Sequence, residues 1–140
     1  MKTYILDTNA LISFVTDRSL AQQEAVTPLF EAASKLKCLL ICPQQVLHEF
    51  VFVMDRVYNR KKETINEMIR DFLNLPGVRL QHEIDFDTLL SLWPKSISDY
   101  GDAVVAAVAK KTKGAPIVTF DAKFRACLKQ IGLPIFSEEA

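Results

Sequence analysis

At 140 residues, with 49% hydrophobic and 24% charged side chains, the chain has the length and composition of one globular domain spanning 1–140, and the disordered and low-complexity classes are excluded. Lysine plus arginine match aspartate plus glutamate at 17 each, for a formal charge of zero, which argues against a general nucleic-acid coat because phosphate neutralisation normally shows as a basic excess. Cys38, Cys42 and Cys127 are odd in number and form no C-x-x-C pair, so reduced thiols in a cytoplasmic protein are expected rather than a disulfide framework or a zinc site.

Strand and helix signals alternate along the whole length. Lys2 to Leu6 reads as a short buried strand, followed by a helix capped by Thr8 or Asn9 and running through Phe14. Val26, Leu29, Phe30, Ala33 and Leu36 repeat at helical spacing and predict a helix over about 20–36. Cys38 to Cys42 is a second strand, stopped by Pro43, which suits the first turn of the next helix because its missing N–H has no intrahelical partner there. That helix, about 44–59, has Leu47, Phe50, Val51, Met54 and Tyr58 as its main apolar face. Val46, Phe52 and Val53 extend the apolar surface, so burial on most of its circumference is expected.

A further helix is capped near Thr64, with Glu67 three residues on as a capping box, and it ends before Pro76-Gly77. Val78 to Leu80 is a weaker strand, Asp85 or Asp87 caps a short helix to Leu92, and Ser98 or Asp99 caps a helix to Lys111. Ile117 to Phe120, Ala122 to Gln130 and Leu133 to Phe136 then read as strand, helix and strand. Strands separated by helices imply a parallel sheet covered on both faces. No run approaches the ~18 apolar residues of a membrane span, and Asp7 cuts the N-terminal apolar run, so neither a membrane segment nor a signal peptide is expected.

Four acids stand where an acid is costly. Asp7 ends Tyr4-Ile5-Leu6, Glu49 lies inside Val46 to Met54, Asp102 opens Ala103 to Ala109, and Asp121 follows Ile117 to Phe120, none with a basic residue in its own apolar run. A carboxylate beside a buried element needs hydrogen bonds, a basic partner or a metal to offset its desolvation. Each also has a local reading: Asp7 as a turn, Asp99 and Asp102 as complements to a helix dipole, Asp121 as a cap. Glu49 has no such role to perform. In an open parallel sheet the carboxyl ends of the strands form the ligand edge, which is where Asp7 and Asp121 fall. Convergence of all four would make an oxygen-ligand pocket suited to Mg²⁺ or Mn²⁺.

Tyr4-Ile5-Leu6-Asp7-Thr8-Asn9, Glu49 in a helix, Asp99-Tyr100-Gly101-Asp102-Ala103-Val104-Val105-Ala106-Ala107, and Val118-Thr119-Phe120-Asp121 followed by Phe124 together resemble the PIN-domain ribonucleases, most closely the VapC-type toxins of toxin–antitoxin pairs. The resemblance covers essentially the whole chain. It implies a three-layer α/β/α PIN-like fold with a central parallel sheet of about five strands, homodimerisation, a cognate antitoxin, and Mg²⁺- or Mn²⁺-dependent cleavage of RNA. It further implies that Asp7, Glu49, Asp102 and Asp121 are the catalytic, metal-binding quartet. Asp99 would assist the metal or cap its helix, Thr8 and Thr119 would support the site, and Asn9 would cap the helix after the first strand.

RNA contacts are expected from Arg56, Arg60, Lys61 and Lys62, and from Lys123 and Arg125 after Asp121. His48 and His82 are the only histidines, and a metal mechanism needs neither. Two rival readings come from other classes. A haloacid-dehalogenase-type phosphatase would require a second Asp two residues after the first, where this chain has Asn9. A non-catalytic PIN-like RNA-binding or scaffolding module would have no use for four intact carboxylates.

Overall fold

The computed structural model describes residues 1–137. In chain order the elements are β1 (Lys2–Leu6), α1 (Thr8–Val15), α2 (Leu20–Ser34), β2 (Cys38–Pro43), α3 (Gln44–Arg56), α4 (Lys62–Leu73), β3 (Val78–Gln81), α5 (Phe86–Leu92), α6 (Tyr100–Lys111), β4 (Ile117–Val118) and α7 (Ala122–Ile131). The strands form a parallel sheet in the order β3-β2-β1-β4. Helices pack on both faces of this three-layer α/β/α arrangement, as the near-continuous apolar runs of the inner strands require.

α6 positions the sheet's ligand edge. Its stretch Ala103 to Ala109 is buried throughout, and its small Ala and Val side chains keep the helix narrow enough to lie against β1, β2 and β4 together. On the other helical layer, α2 packs on β2, with α1 against both α2 and α3. Phe30 is a joint of this layer, stacked on Phe14 at 3.9 Å between ring centroids and tilted against Phe72 at 5.9 Å. Gly77 lets the chain enter β3 close to its neighbours, because a Cβ there would run into the carbonyl oxygens of Cys38 and Ala33. Its own N–H donates to Ala33 O at 2.8 Å.

The sheet has four strands where five were expected. Leu133 to Phe136 contributes only a single parallel bridge between Ile117 and Ile135. Pro134 brings no N–H to a ladder, and β4 itself spans two residues rather than continuing to Phe120. Beyond Val118 the backbone groups go to side chains: Thr119 O accepts from Arg125 Nη1 at 2.9 Å, and Phe120 N donates to Asn9 Oδ1 at 2.9 Å.

Helix ends differ from expectation for similarly local reasons. α1 is capped by Asp7, whose side chain accepts from Thr8 N. α2 stops at Ser34, two residues before Leu36 takes a positive φ of 54°. α3 stops at Arg56, and Asn59 takes φ 51°. α4 starts at Lys62 behind Lys61, with no side-chain cap, so Thr64 and Glu67 lie within the helix and form no capping box. α3 is also less enclosed than its composition suggested. Val46, Leu47, Phe50 and Met54 are buried, whereas Val51 and Phe52 are exposed.

Cys38 and Cys42 are buried and Cys127 is half-buried, all as free thiols. Burial pushes the Cys42 thiol up to about 12 and raises that of Cys38. Among the described residues no helix is long and apolar enough to cross a membrane.

Candidate functional site

Asp7 is the innermost acid of the carboxyl edge, 5% exposed at the junction of β1 and α1. Three donors hold its carboxylate. Thr8 N reaches Oδ1 at 2.8 Å, while Thr119 Oγ1 at 2.7 Å and Asn9 Nδ2 at 3.1 Å reach Oδ2. Asn9 also donates to Thr119 Oγ1 at 3.1 Å. It thus lies inside α1 as a bridge between the ends of β1 and β4, and Asp7 performs the capping expected of it.

Burial pushes the Asp7 carboxyl up to about 6. The hydrogen bonds from Thr119 and Thr8 oppose this, and the charges of Glu49 and Asp121 add to it.

Glu49 sits one turn into α3, half-buried. Thr8 Oγ1 donates to its Oε2 at 2.7 Å, joining α3 to α1, and Gln45 Nε2, one turn earlier on α3, donates to Oε1. The first turn of α6 closes over this pair. A Cβ at Gly101 would run into Glu49 Oε1 and Gln45 Nε2, so only glycine leaves the room these two groups occupy. Gln45 Oε1 is buried and has no hydrogen-bond partner among the described residues.

Asp102 and Asp99 both belong to the start of α6, but they are differently engaged. Asp99 is exposed and is the helix cap, accepting from Asp102 N at 2.9 Å. The Asp102 carboxylate receives no hydrogen bond from the described residues. Its carboxyl is pushed up to about 7, first by burial and then by the charges of Asp7, Asp99, Asp121 and Glu49. Asp102 therefore lies within electrostatic reach of the four other acids. Asp121 is exposed at the end of the β4 segment, caps α7 through Oδ1 to Lys123 N at 2.9 Å and Phe124 N at 3.1 Å, and leaves Oδ2 without a donor.

Among the described residues no lysine or arginine forms an ion pair with the cluster. The two ion pairs among the described residues are Arg56 with Asp55 at 3.7 Å and Lys111 with Asp85 at 3.0 Å, both away from the five acids. The uncompensated set offers oxygen atoms only, the donor chemistry of a hard divalent cation such as Mg²⁺ or Mn²⁺. Its ligands are nevertheless not gathered: among the described residues no three His, Cys, Asp or Glu side chains already have the spacing of an ion site. The partners account for this, since Glu49 is turned toward Thr8 and Gln45 while Asp99 and Asp121 face the helix starts they cap.

The expected basic residues lie outside this centre. Arg56, Arg60, Lys61 and Lys62 are exposed from the end of α3 to the start of α4. Arg56 rests over the Phe52 ring at 5.4 Å and is shared with Asp55. Lys123 is exposed on α7, while Arg125 is tied to Thr119 O. His48 and His82 are both exposed. An apolar cleft of 490 Å³ between α1, α2, α3 and α4 contains none of the five acids.

Sequence reasoning did not single out Gln45, Gly101 or Arg18. Gln45 stands four residues before Glu49, a spacing that puts side chains side by side on a helix, and Gly101 stands between two site acids, so both had a local signal. Arg18 had none. Its guanidinium is fixed beside the acidic edge by Ser13, Asn9 and Gln22, all of them in α1 or α2.

A sequence model of the PIN domain matches residues 4–127. A VapC ribonuclease from Aquifex aeolicus is 24% identical over 121 residues, covering 86% of this chain and 89% of that protein. Among solved structures, the Mycobacterium tuberculosis toxin VapC20, described as cleaving the sarcin–ricin loop, superposes with a TM-score of 0.65 at 17% identity, covering 88% of this chain and 93% of that one. VapBC2 from Rickettsia felis, solved with a DNA fragment from its promoter, gives a TM-score of 0.59 at 20% identity, covering 96% and 97%.

Proposed function

The chain belongs to the PIN domain family, and from that premise we propose that it is a metal-dependent endoribonuclease, the toxin of a toxin–antitoxin pair, acting in the cytoplasm as a single catalytic domain over 1–140. The observation that carries this reading is Asp102: a carboxylate with no donor and no basic partner among the described residues, pressed on by four other acids. Such a group ionises only against opposition, and is completed either by a proton or by a cation.

Asp7, Glu49, Asp102 and Asp121 are the residues that would hold Mg²⁺ or Mn²⁺, with Asp99 close enough in sequence and space to assist. A divalent ion held there supplies Lewis acidity, lowering the pKa of water and stabilising charge on the scissile phosphate and leaving oxygen. The chain's own contribution is positioning. Thr119 Oγ1 and Thr8 N donate hydrogen bonds that lower the Asp7 pKa against burial, and Asn9 Nδ2 helps to aim the same carboxylate. Gln45 and Thr8 orient the two oxygens of Glu49. Gly101 leaves the space into which that carboxylate fits.

RNA would reach the site along basic side chains on either side. Arg56 lies seven residues, two helical turns, beyond Glu49 on the same face of α3, and Arg60, Lys61 and Lys62 continue the path. Lys123 and Arg125 flank Asp121. The exposed apolar residues Val51, Phe52 and Val57 on and after α3 support a homodimer. The relatives named VapC and VapBC support a cognate antitoxin as a further partner.

The test is cleavage of single-stranded and loop RNA by purified protein with Mg²⁺ or Mn²⁺ and with excess EDTA. Cleavage with the ions and its loss on chelation is the expected result. Undiminished cleavage in EDTA, by protein free of contaminating ribonuclease, would overturn the reading.

A further inference from the structure

Arg18 is an exposed arginine held as if it were buried. Nε donates to Ser13 Oγ at 2.9 Å, and Nη2 donates to Asn9 O at 3.1 Å and to Gln22 Oε1 at 3.2 Å. Ser13 is fully buried in α1 and donates its own hydroxyl to Gln22 Oε1 at 2.7 Å, so the three side chains form a closed frame. Fixing an exposed arginine in one geometry costs rotamer entropy. The acceptors that hold it are all neutral. Among the described residues no carboxylate lies within ion-pair distance of the guanidinium, and Nη1 has no hydrogen bond.

This rigid, uncompensated cation lines a mainly polar cleft of 420 Å³ together with Asn9, Ser19, Gln22, Phe120 and Asp121. Asn9 and Asp121 belong to the acidic edge, so the cleft continues that edge on the side opposite α3. The planar fork of a guanidinium matches the two non-bridging oxygens of a phosphodiester, and the N-terminus of α2, capped by Ser19, adds a favourable dipole for an anion. Building on the ribonuclease reading, we propose that Arg18 binds a phosphodiester of the RNA next to the scissile one, on the Asp121 side, and thereby fixes the direction in which the strand crosses the acids. Ser13 and Gln22 are its positioning residues.

The experiment measures binding of a fluorescent, random-sequence single-stranded RNA 20-mer in EDTA, and its cleavage in Mn²⁺, by the wild type and by R18Q, R18K, S13A and R79Q. Arg79 sits on β3 at the far edge of the sheet, bonded only to local carbonyls, so R79Q controls for loss of one charge. Arg18→Gln is expected to weaken binding roughly tenfold and to flatten the log–log salt dependence by about 0.7 relative to R79Q. In Mn²⁺ it should raise KM while kcat holds. A merely structural role, acting through Asn9 on Asp7, would instead lower kcat.

Arg18→Lys is expected to recover the salt slope but only part of the affinity. Ser13→Ala, which keeps the charge and loosens the frame, should fall between wild type and Arg18→Gln. If the wild type binds and cleaves while Arg18→Gln matches R79Q in affinity and slope, the Arg18 assignment is wrong and the ribonuclease reading stands. If the wild type neither binds nor cleaves RNA, both are wrong.

Discussion

Thr119 donates its hydroxyl to Asp7 across the seam between β4 and β1, at 2.7 Å and over 112 residues of chain. The same oxygen accepts from Asn9 Nδ2 and from Asp121 N, so one small side chain ties two site acids to the sheet. Thr119→Val preserves shape and removes all three bonds. Leaving the buried Asp7 short of a donor is expected to cost about 1–3 kcal/mol and to weaken Mn²⁺ binding by roughly 10- to 100-fold, the scale of support lost behind a ligand. Chemical unfolding and calorimetric Mn²⁺ titration check the two halves. Unchanged Mn²⁺ affinity would show that Asp7 is not a ligand that Thr119 supports.

Asp102 and Asp99 are separable by substitution. Asp102→Asn should lower cleavage by at least about 10²-fold while raising the melting temperature in EDTA, because one of several mutually repelling charges is removed from a half-buried position. Asp99→Asn should keep measurable activity, since Asn caps a helix about as well as Asp. Kinetics at saturating Mn²⁺ together with metal-free melting curves decide the matter. An inactive Asp99→Asn beside an active Asp102→Asn would reverse the assignment.

The metal-free protein should be more stable in mild acid than at neutrality. In the folded chain Asp7 titrates at about 6 and Asp102 at about 7, both above the ordinary carboxylate value of 3.8. Between those limits the folded state binds more protons than the unfolded one, so the stabilising contribution is complete below about pH 4 and is lost as pH rises through 6 and 7. For the buried Asp7 the interval corresponds to roughly 3 kcal/mol. The contribution of Asp102 is smaller than its interval suggests, because solvent reaches it. Divalent ions must displace the same protons, so Mn²⁺ affinity should climb over pH 6–7.5. Melting temperatures in EDTA that rise from pH 5 to pH 7.5 would contradict the assignment.

Gly101→Ala should leave the fold nearly intact and disable the site. Alanine favours the helix by up to about 1 kcal/mol, and the atoms its Cβ meets are the ends of two flexible side chains, Glu49 and Gln45. Those ends must move, and Glu49 moves with them. Cleavage is expected to drop by roughly tenfold or more with a melting temperature close to wild type. Full activity would mean that the position of Glu49 does not matter.

Much of this candidate centre was legible because Asp7, Glu49, Asp102 and Asp121 each stand in or against an apolar run. Asp7 and Asp121 end apolar runs, and an acid at that point lies on the carboxyl edge of a parallel sheet wherever the strands are ordered. Glu49 was legible as a charge inside an apolar helix. Asp99 and Asp121 show the limit of that reasoning: the capping role and the site position coexist, since each gives one oxygen to its helix. The missing fifth strand was not legible. Leu133 to Phe136 has strand composition, but its would-be partner Thr119-Phe120 is taken up by Asn9 and Arg125, contacts made over more than 100 residues in one case and across a helix turn in the other. Arg18 was invisible for a similar reason, because what distinguishes it is the set of neutral acceptors around it and not its spacing.

The three thiols are sorted by their surroundings into two kinds. Cys38 and Cys42 are buried in β2, which raises the pKa of both thiols and lowers their reactivity as nucleophiles. Cys127, half-buried on α7 six residues beyond Asp121, is the least buried of the three and so the most accessible target for a maleimide or a spin label. The natural sequence therefore already supplies a single-position spectroscopic reporter on the helix that Asp121 caps, and ligand binding at the acidic edge can be followed from there without engineering a cysteine in or out.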